Sequence, residues 1–185
     1  MASEERTTPY ILTKHPNTSY PLIDNDPHFK RVVSYARPSD WAVGAALSAG
    51  GPALMLWWEK VSPSYVGRGG FAPIMRLSGA VGLTAGFLMV YSRSINRFYG
   101  VTENRREIDM DMREMVDKVK KGEPLYGKSS LSEYMQGVAA RNSRYSGVFI
   151  HVLPWFNFTN HNQHGVDTAK YYQQAERELE GERKL

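Results

Sequence analysis

Along the chain, apolar and polar positions sort into three zones instead of one repeating pattern. Residues 1–38 are polar and interrupted by proline, residues 39–92 are mostly Gly, Ala, Leu, Val and aromatics, and residues 93–185 are polar again. Within the middle zone, Trp41 to Trp58 (WAVGAALSAGGPALMLWW) is a run of eighteen residues without a charge. As a helix it would be about 27 Å long, against a hydrocarbon core of about 30 Å. Small and apolar residues occupy it all the way round, so it lacks the polar face of a helix at a soluble protein's surface. Trp41 and the pair Trp57-Trp58 bracket it as an interfacial aromatic belt would, with Asp40 and Glu59-Lys60 just outside.

A second stretch, residues 71–91 (FAPIMRLSGAVGLTAGFLMVY), reaches spanning length with Arg76 near one end, where its side chain can snorkel to the interface. Pro73 is expected in the first turn, where its missing N–H does least harm. The intervening EKVSPSYVGRGG is short and rich in Gly, Pro and Ser, so it can only join antiparallel neighbours. The pattern therefore predicts a mainly α membrane protein. Its centre is a two-helix transmembrane hairpin over 39–92, with spans at about 41–58 and 71–91. Helices in lipid associate through close packing of small residues. Ser78, Gly82 and Gly86 recur at four-residue spacing and are the predicted helix-packing residues, with Gly44, Ala46, Ser48 and Gly50 offered by the first span. Gly50-Gly51-Pro52 is expected to bend or locally break that span, and a bent span needs a neighbour for its freed carbonyls.

The flanks read differently. Residues 1–38 carry Pro9, Pro16, Pro21, Pro27 and Pro38 and predict an extended arm. Its anchors would be Tyr10, Ile11, Tyr20, Leu22 and Phe29, and it would order by lying along a partner. Residues 93–185 predict a polar region of short helices and irregular loops, with helices near 103–121, 131–144 and 168–183. In the first of these, Ile108, Met112, Met115, Val116 and Val119 share one face, acidic residues lead, lysines trail, and Gly122 and Pro124 stop it. Ser130 and Glu133 are spaced as a capping box for the second. Asp167 is the predicted cap of the third, whose thin apolar stripe is Ala169, Tyr172, Ala175 and Leu179.

Composition and charge narrow the function classes. The chain has 185 residues, a formal charge of +4 and no cysteine. Disulfides, thiolate zinc sites and thiol catalysis are excluded, and the scattered basic residues give no footprint for nucleic acid. The N-terminus has no apolar h-region, and Glu4, Glu5 and early prolines argue against a cleavable transit peptide, so organelle targeting is expected to be internal. Lys30, Arg31 and Arg37 precede the first span and Arg93, Arg97, Arg105 and Arg106 follow the second, whereas the connection holds Lys60 and Arg68. This bias places both termini on the cytoplasm-equivalent side.

Candidate chemistry is sparse. His151, His161 and His164, with Asp167, could be considered for a metal, but no regular element presents them and no thiol or paired carboxylate completes a set. GRGGFAP lacks the Lys-Ser/Thr of a phosphate loop. Asn157-Phe158-Thr159 is formally a glycosylation acceptor. The spans contain no chain of carboxylates or histidines for an ion path, Arg76 being the internal ionisable group. No catalytic residue, metal site or cofactor is expected.

The arm YPLIDNDPHFKRVVSYARPSDW, the two Gly/Ala-rich spans and the tail LPWFNFTNHNQHGVDTAKYY together resemble the fungal 21-kilodalton accessory subunit family of mitochondrial respiratory complex I, the NADH:ubiquinone oxidoreductase. The resemblance runs over the whole chain. It implies a non-catalytic inner-membrane subunit with two transmembrane helices in the membrane arm and no flavin, iron–sulfur cluster or quinone site of its own. Its partners would be other complex I subunits and inner-membrane lipid, and its role would be assembly and stability of the proton-pumping enzyme; in a mitochondrion the basic-residue bias then turns both termini to the matrix. The alternative is a component of an inner-membrane import or carrier complex. That reading calls for a polar face along a span, whereas Ser48, Ser78 and Thr84 are few and Ser78 belongs to the small-residue ladder.

Overall fold

The computed structural model describes residues 17–183, and these are mainly helical, with no strand among them. In chain order the α-helices are α1 (Phe29–Ser34), α2 (Pro38–Val61), α3 (Gly67–Phe98), α4 (Arg105–Lys121), α5 (Glu133–Ser143) and α6 (Ala169–Arg183), with a 3-10 turn at Ser146–Phe149. The chain forms two compact units. One comprises Pro27–Arg97 and Tyr145–Phe158; the other comprises the described residues through Asp26, Phe98–Arg144, and those from Thr159 onward. The predicted anchors Tyr10 and Ile11 lie outside the described residues.

The first unit is organised by α2 and α3, which run antiparallel. Pro38 starts α2 at a position where a missing N–H costs nothing, and the Asp40 carboxylate accepts the Arg37 backbone N–H at 2.9 Å. Both helices extend beyond the expected spans, so the connection shrinks to residues 62–66. There Ser64 donates to the Glu59 carboxylate through its backbone N–H (3.2 Å) and its hydroxyl (2.9 Å). Because α3 already begins at Gly67, Pro73 sits in its second turn, not its first. Among the described residues one helix, α3, is long and apolar enough to cross a membrane, and only 22% of its apolar window is buried.

Pro52 lies inside α2, and the helix continues through it instead of breaking. A proline there leaves the Ser48 carbonyl without its helical donor. That carbonyl faces Gly82 of α3: a Cβ on Gly82 would lie far inside contact distance of the Ser48 oxygen. A Cβ on Gly86 would meet the Gly44 carbonyl and the Ser48 hydroxyl, and one on Gly44 would meet Val90 and, at 2.9 Å, the Gly86 oxygen. Ser78 lies opposite Gly51, 3.5 Å from where its Cβ would be. The facing residues of α2 are thus Gly44, Ser48 and Gly51-Pro52, whereas Ala46 and Gly50 are exposed. At 100° per residue, positions 44, 48 and 51 share a stripe and positions 46 and 50 fall off it.

Short α1 lies within what was expected to be extended arm. The His28 Nδ1 accepts the Lys30 N–H to cap it, Val32 is fully buried, and the Val32 carbonyl accepts the Ser94 hydroxyl of α3 at 2.6 Å. Phe29 packs among Phe87 and Tyr91 of α3 and Phe156 and Phe158 of the returning chain, with ring centroids 5.0–6.1 Å away.

In the second unit α4 packs against α6 around Met115, Leu125 and Tyr171, flanked by Met112, Val119 and Tyr126. Gly122 ends α4 in the left-handed conformation (φ 69°), with the Glu123 N–H reaching the Lys118 carbonyl. For α5 the cap is Ser132, which accepts the Met135 N–H, and not Ser130. Asp167 accepts the Ala169 N–H at the start of α6. On α6 the buried positions are Tyr171 and Ala175, while Tyr172 is 39% exposed, because the Tyr171 hydroxyl turns inward to the Asp111 carboxylate at 2.5 Å.

The glycines of the ladder differ from their neighbours in a testable way. Gly82→Ala puts a methyl into the Ser48 carbonyl and should destabilise the helix pair by about 1–3 kcal/mol. Gly79→Ala, whose Cβ meets nothing within 4 Å, should be neutral or slightly stabilising. Thermal unfolding of the full chain in detergent, followed by helical circular dichroism, compares them, and equal midpoints would count against the contact.

Candidate functional site

Two buried polar constellations stand out, one in each unit. In the first, Asp40 of α2 is fully buried and carries a negative charge that would be prohibitive alone. Arg97 of α3 meets it with both guanidinium nitrogens at 2.7 Å, and Arg93, one turn earlier, adds its Nε at 2.8 Å. Burial pushes the Asp40 carboxyl upward, but the hydrogen bonds from Arg97, then Arg93, then the Arg37 N–H outweigh it and hold the pKa at about 2. Arg97 is buried while Arg93 is 43% exposed in its side chain, so the Arg97 fork is the dry part of the lock. By contrast, Lys120 of α4 bridges Glu178 and Glu182 of α6 at 2.9 Å on the surface, where water screens it.

The second constellation joins residues 24–26 to the tail. Backbone contacts bring the segment in: Tyr20 donates to the Gly100 carbonyl at 3.1 Å, and Ile23 and Asp24 both donate to the Phe98 carbonyl. Gly100 adopts φ +73°, and a Cβ there would strike the Tyr20 oxygen, so glycine is required twice over. Asp24, Asn25 and Asp26 are then buried, and the predicted anchor Tyr20 stays 41% exposed. His164 Nδ1 lies 2.7 Å from Asp24 Oδ1 and its Nε2 lies 2.7 Å from the His161 carbonyl. Both of these partners can accept a hydrogen bond. His161 differs: its Nδ1 accepts the Gln163 N–H at 3.2 Å, leaving Nε2–H to donate to Asp26 at 2.8 Å. The two rings stack at 4.5 Å, and Tyr126 stacks on His164 at 3.6 Å.

Chemically this clasp is wired for holding. Ser143, His161 and Asp26 have the residue types of a hydrolase triad but not its wiring. The Ser143 hydroxyl donates to Asp26 instead of to a histidine, and both His161 nitrogens already have partners. His161 and His164 face separate carboxylates, His151 is exposed in the other unit, and Asp167 serves the start of α6. Among the described residues no group of three or more His, Asp or Glu is arranged to hold a metal. Asn157 of the formal glycosylation acceptor is buried, and its carbonyl accepts the Phe29 N–H at 2.7 Å.

Sequence reasoning singled out Ser78, Gly82 and Gly86, and the structure places all three along the α2 side of α3. It reads the histidines as hydrogen-bonding groups of a packed irregular loop, as His161 and His164 are, but misses their acidic partners and the whole Asp40–Arg97 pairing. Asp40, Arg93 and Arg97 were read as flanking charges, although Arg93 and Arg97 at four-residue spacing on a helix extended past Tyr91 are a usable hint. Asp24 and Asp26 gave no hint, because 140 residues separate Asp24 from His164.

Comparison with known proteins gives concordant results. A family described as the 21 kDa subunit of NADH-ubiquinone oxidoreductase complex I matches residues 17–103, and one described as the C-terminal region of that subunit matches residues 112–185. The Neurospora crassa NADH-ubiquinone oxidoreductase 20.9 kDa subunit is 66% identical over 174 residues, covering 94% of this chain and 92% of the relative.

Asp40→Asn would leave Arg97 buried without its counter-charge and should cost about 3–5 kcal/mol. Since folding lowers the Asp40 pKa from 3.8 to about 2, its stabilisation is complete above roughly pH 4 and is lost as pH falls through 2. An acid titration of stability should show this limb in the native chain and lack it in the variant; identical profiles would exclude the lock. For the clasp, Asp24→Ala and His164→Ala should be strongly non-additive, with a coupling of about 1–3 kcal/mol in a double-mutant cycle. Simple additivity would show that the two side chains act independently.

Proposed function

The chain belongs to the 21 kDa subunit family of NADH-ubiquinone oxidoreductase, complex I, and from that premise we propose that it stabilises the membrane arm of the enzyme as a lipid-embedded helical clamp. Family membership makes it a mitochondrial, non-catalytic accessory subunit of the respiratory chain whose partners are other complex I subunits. The finer reading is ours: α2 and α3 both traverse the inner membrane, both termini face the matrix, and assembly and stability are the service rendered.

The observation that carries this reading is the division of the α2–α3 surface. Between the helices lie small residues in backbone contact, and facing outward are Leu47, Leu54, Trp57 and Trp58 on α2 and Leu77, Val81 and Leu83 on α3, all 42–67% exposed. A water-soluble protein does not leave such a continuous apolar surface uncovered. Lipid accepts it without any polar contact. The import or carrier reading needs a polar stripe for passage, and the hydroxyls do not form one. Ser48 donates back to Gly44 and Thr84 back to Ala80, each within its own helix, and Ser78 faces Gly51.

The tagged full chain should co-migrate with NADH dehydrogenase activity on a native gel and stay with membranes through alkaline carbonate. Its deletion should lower the abundance of intact complex and leave the turnover of each assembled complex unchanged. Release by carbonate would overturn the membrane reading. Normal complex abundance without the chain would overturn the stabilising role.

A further inference from the structure

We propose that the segment Val148–Trp155 is a membrane-seated foot, which inserts its side chains into the interfacial zone of the leaflet at the C-terminal end of α3. Between Tyr145 and Val166 the chain carries no Asp, Glu, Lys or Arg. Within that stretch Val148, Phe149, Val152, Leu153 and Trp155 are 48–85% exposed, the highest being Val152. So dense an outward display of large apolar groups has no counterpart in the polar tail around it.

The segment is built, not loose. Ile150 is fully buried as its root, and the N–H groups of Val148, Ile150, Val152 and Leu153 all find carbonyls within residues 145–149. Internal satisfaction of backbone donors is what a segment leaving water requires. Its depth follows from its attachment. Phe156 meets Tyr91 edge-on at 4.8 Å and Phe87 at 6.2 Å, and Asn157 and Phe158 offer their carbonyls to Phe29 and His28. Phe87 and Tyr91 are the last aromatics of the apolar stretch of α3, Tyr91 lying two residues before Arg93. The foot therefore stands level with the boundary between acyl chains and headgroups, where a mixture of aliphatic residues and tryptophan is at home. A protein partner would call for several polar groups to set register, and the exposed tip offers His151 and the Trp155 indole N–H, the latter a group equally suited to the headgroup zone.

The inference rests on the reading of α3 as a membrane span, and the test separates the two. Because the chain has no cysteine, Val152→Cys and Leu83→Cys each create a unique labelling site. The full chain carrying an environment-sensitive fluorophore at either position is reconstituted into phosphatidylcholine vesicles with brominated acyl chains. Both labels should be quenched several-fold by the lipid and shielded from iodide. Quenching at 83 with iodide access at 152 overturns the foot and leaves the span standing; iodide access at both overturns both. In the assembled complex, a benzophenone side chain at position 152 should form lipid adducts. A covalent adduct with another subunit instead would show that protein covers the segment and would overturn the proposal.

Discussion

The α2–α3 pair depends on the close backbone approach of the two helices at Gly82 and Ser48. Proline at position 52 takes away the donor that would bond the Ser48 carbonyl, and the Gly82 backbone lies against that oxygen because no side chain intervenes. Glycine at 44 and 86 extends the same closeness along the pair. The outward direction of Leu77, Val81 and Leu83 follows from that approach, which also brings Asp40 within reach of Arg97.

Asp40 complements the ladder by different physics. Small-residue packing resists separation but tolerates sliding by a whole turn, because one small residue replaces another. A buried carboxylate with a two-pronged guanidinium tolerates neither, since a shift of one turn strands two charges in a dry place. The ladder thus supplies closeness and the ion pair supplies register. In the other unit the pairs Asp24–His164 and Asp26–His161 act in the same manner on irregular chain, where no periodic packing could specify alignment. The two histidines are wired differently: His161 sits between the Gln163 N–H and Asp26, whereas His164 sits between Asp24 and the His161 carbonyl.

Side chains that could do chemistry are spent on holding: Ser143 on Asp26, His161 and His164 on carboxylates, Arg97 on Asp40. Apolar surface faces outward on α2, α3 and the segment around Val152.

Local and periodic features were legible in the sequence. The apolar stretch of α3, the four-residue spacing of Ser78, Gly82 and Gly86, the shared face of Met112, Met115, Val116 and Val119, and Gly122 as a stop all depend on neighbours within one or two turns. Near misses, such as Ser132 in place of Ser130 and Tyr171 in place of Tyr172, also lie within a turn of the expected residue. They were settled by which side chain the surroundings could receive. Only the tertiary structure decided that Asp40 meets Arg97, 57 positions on, and that Asp26 meets His161, 135 positions on. Side chains brought together by folding leave no spacing in the sequence, and a charge reads as a solvated flank until its partner is in place.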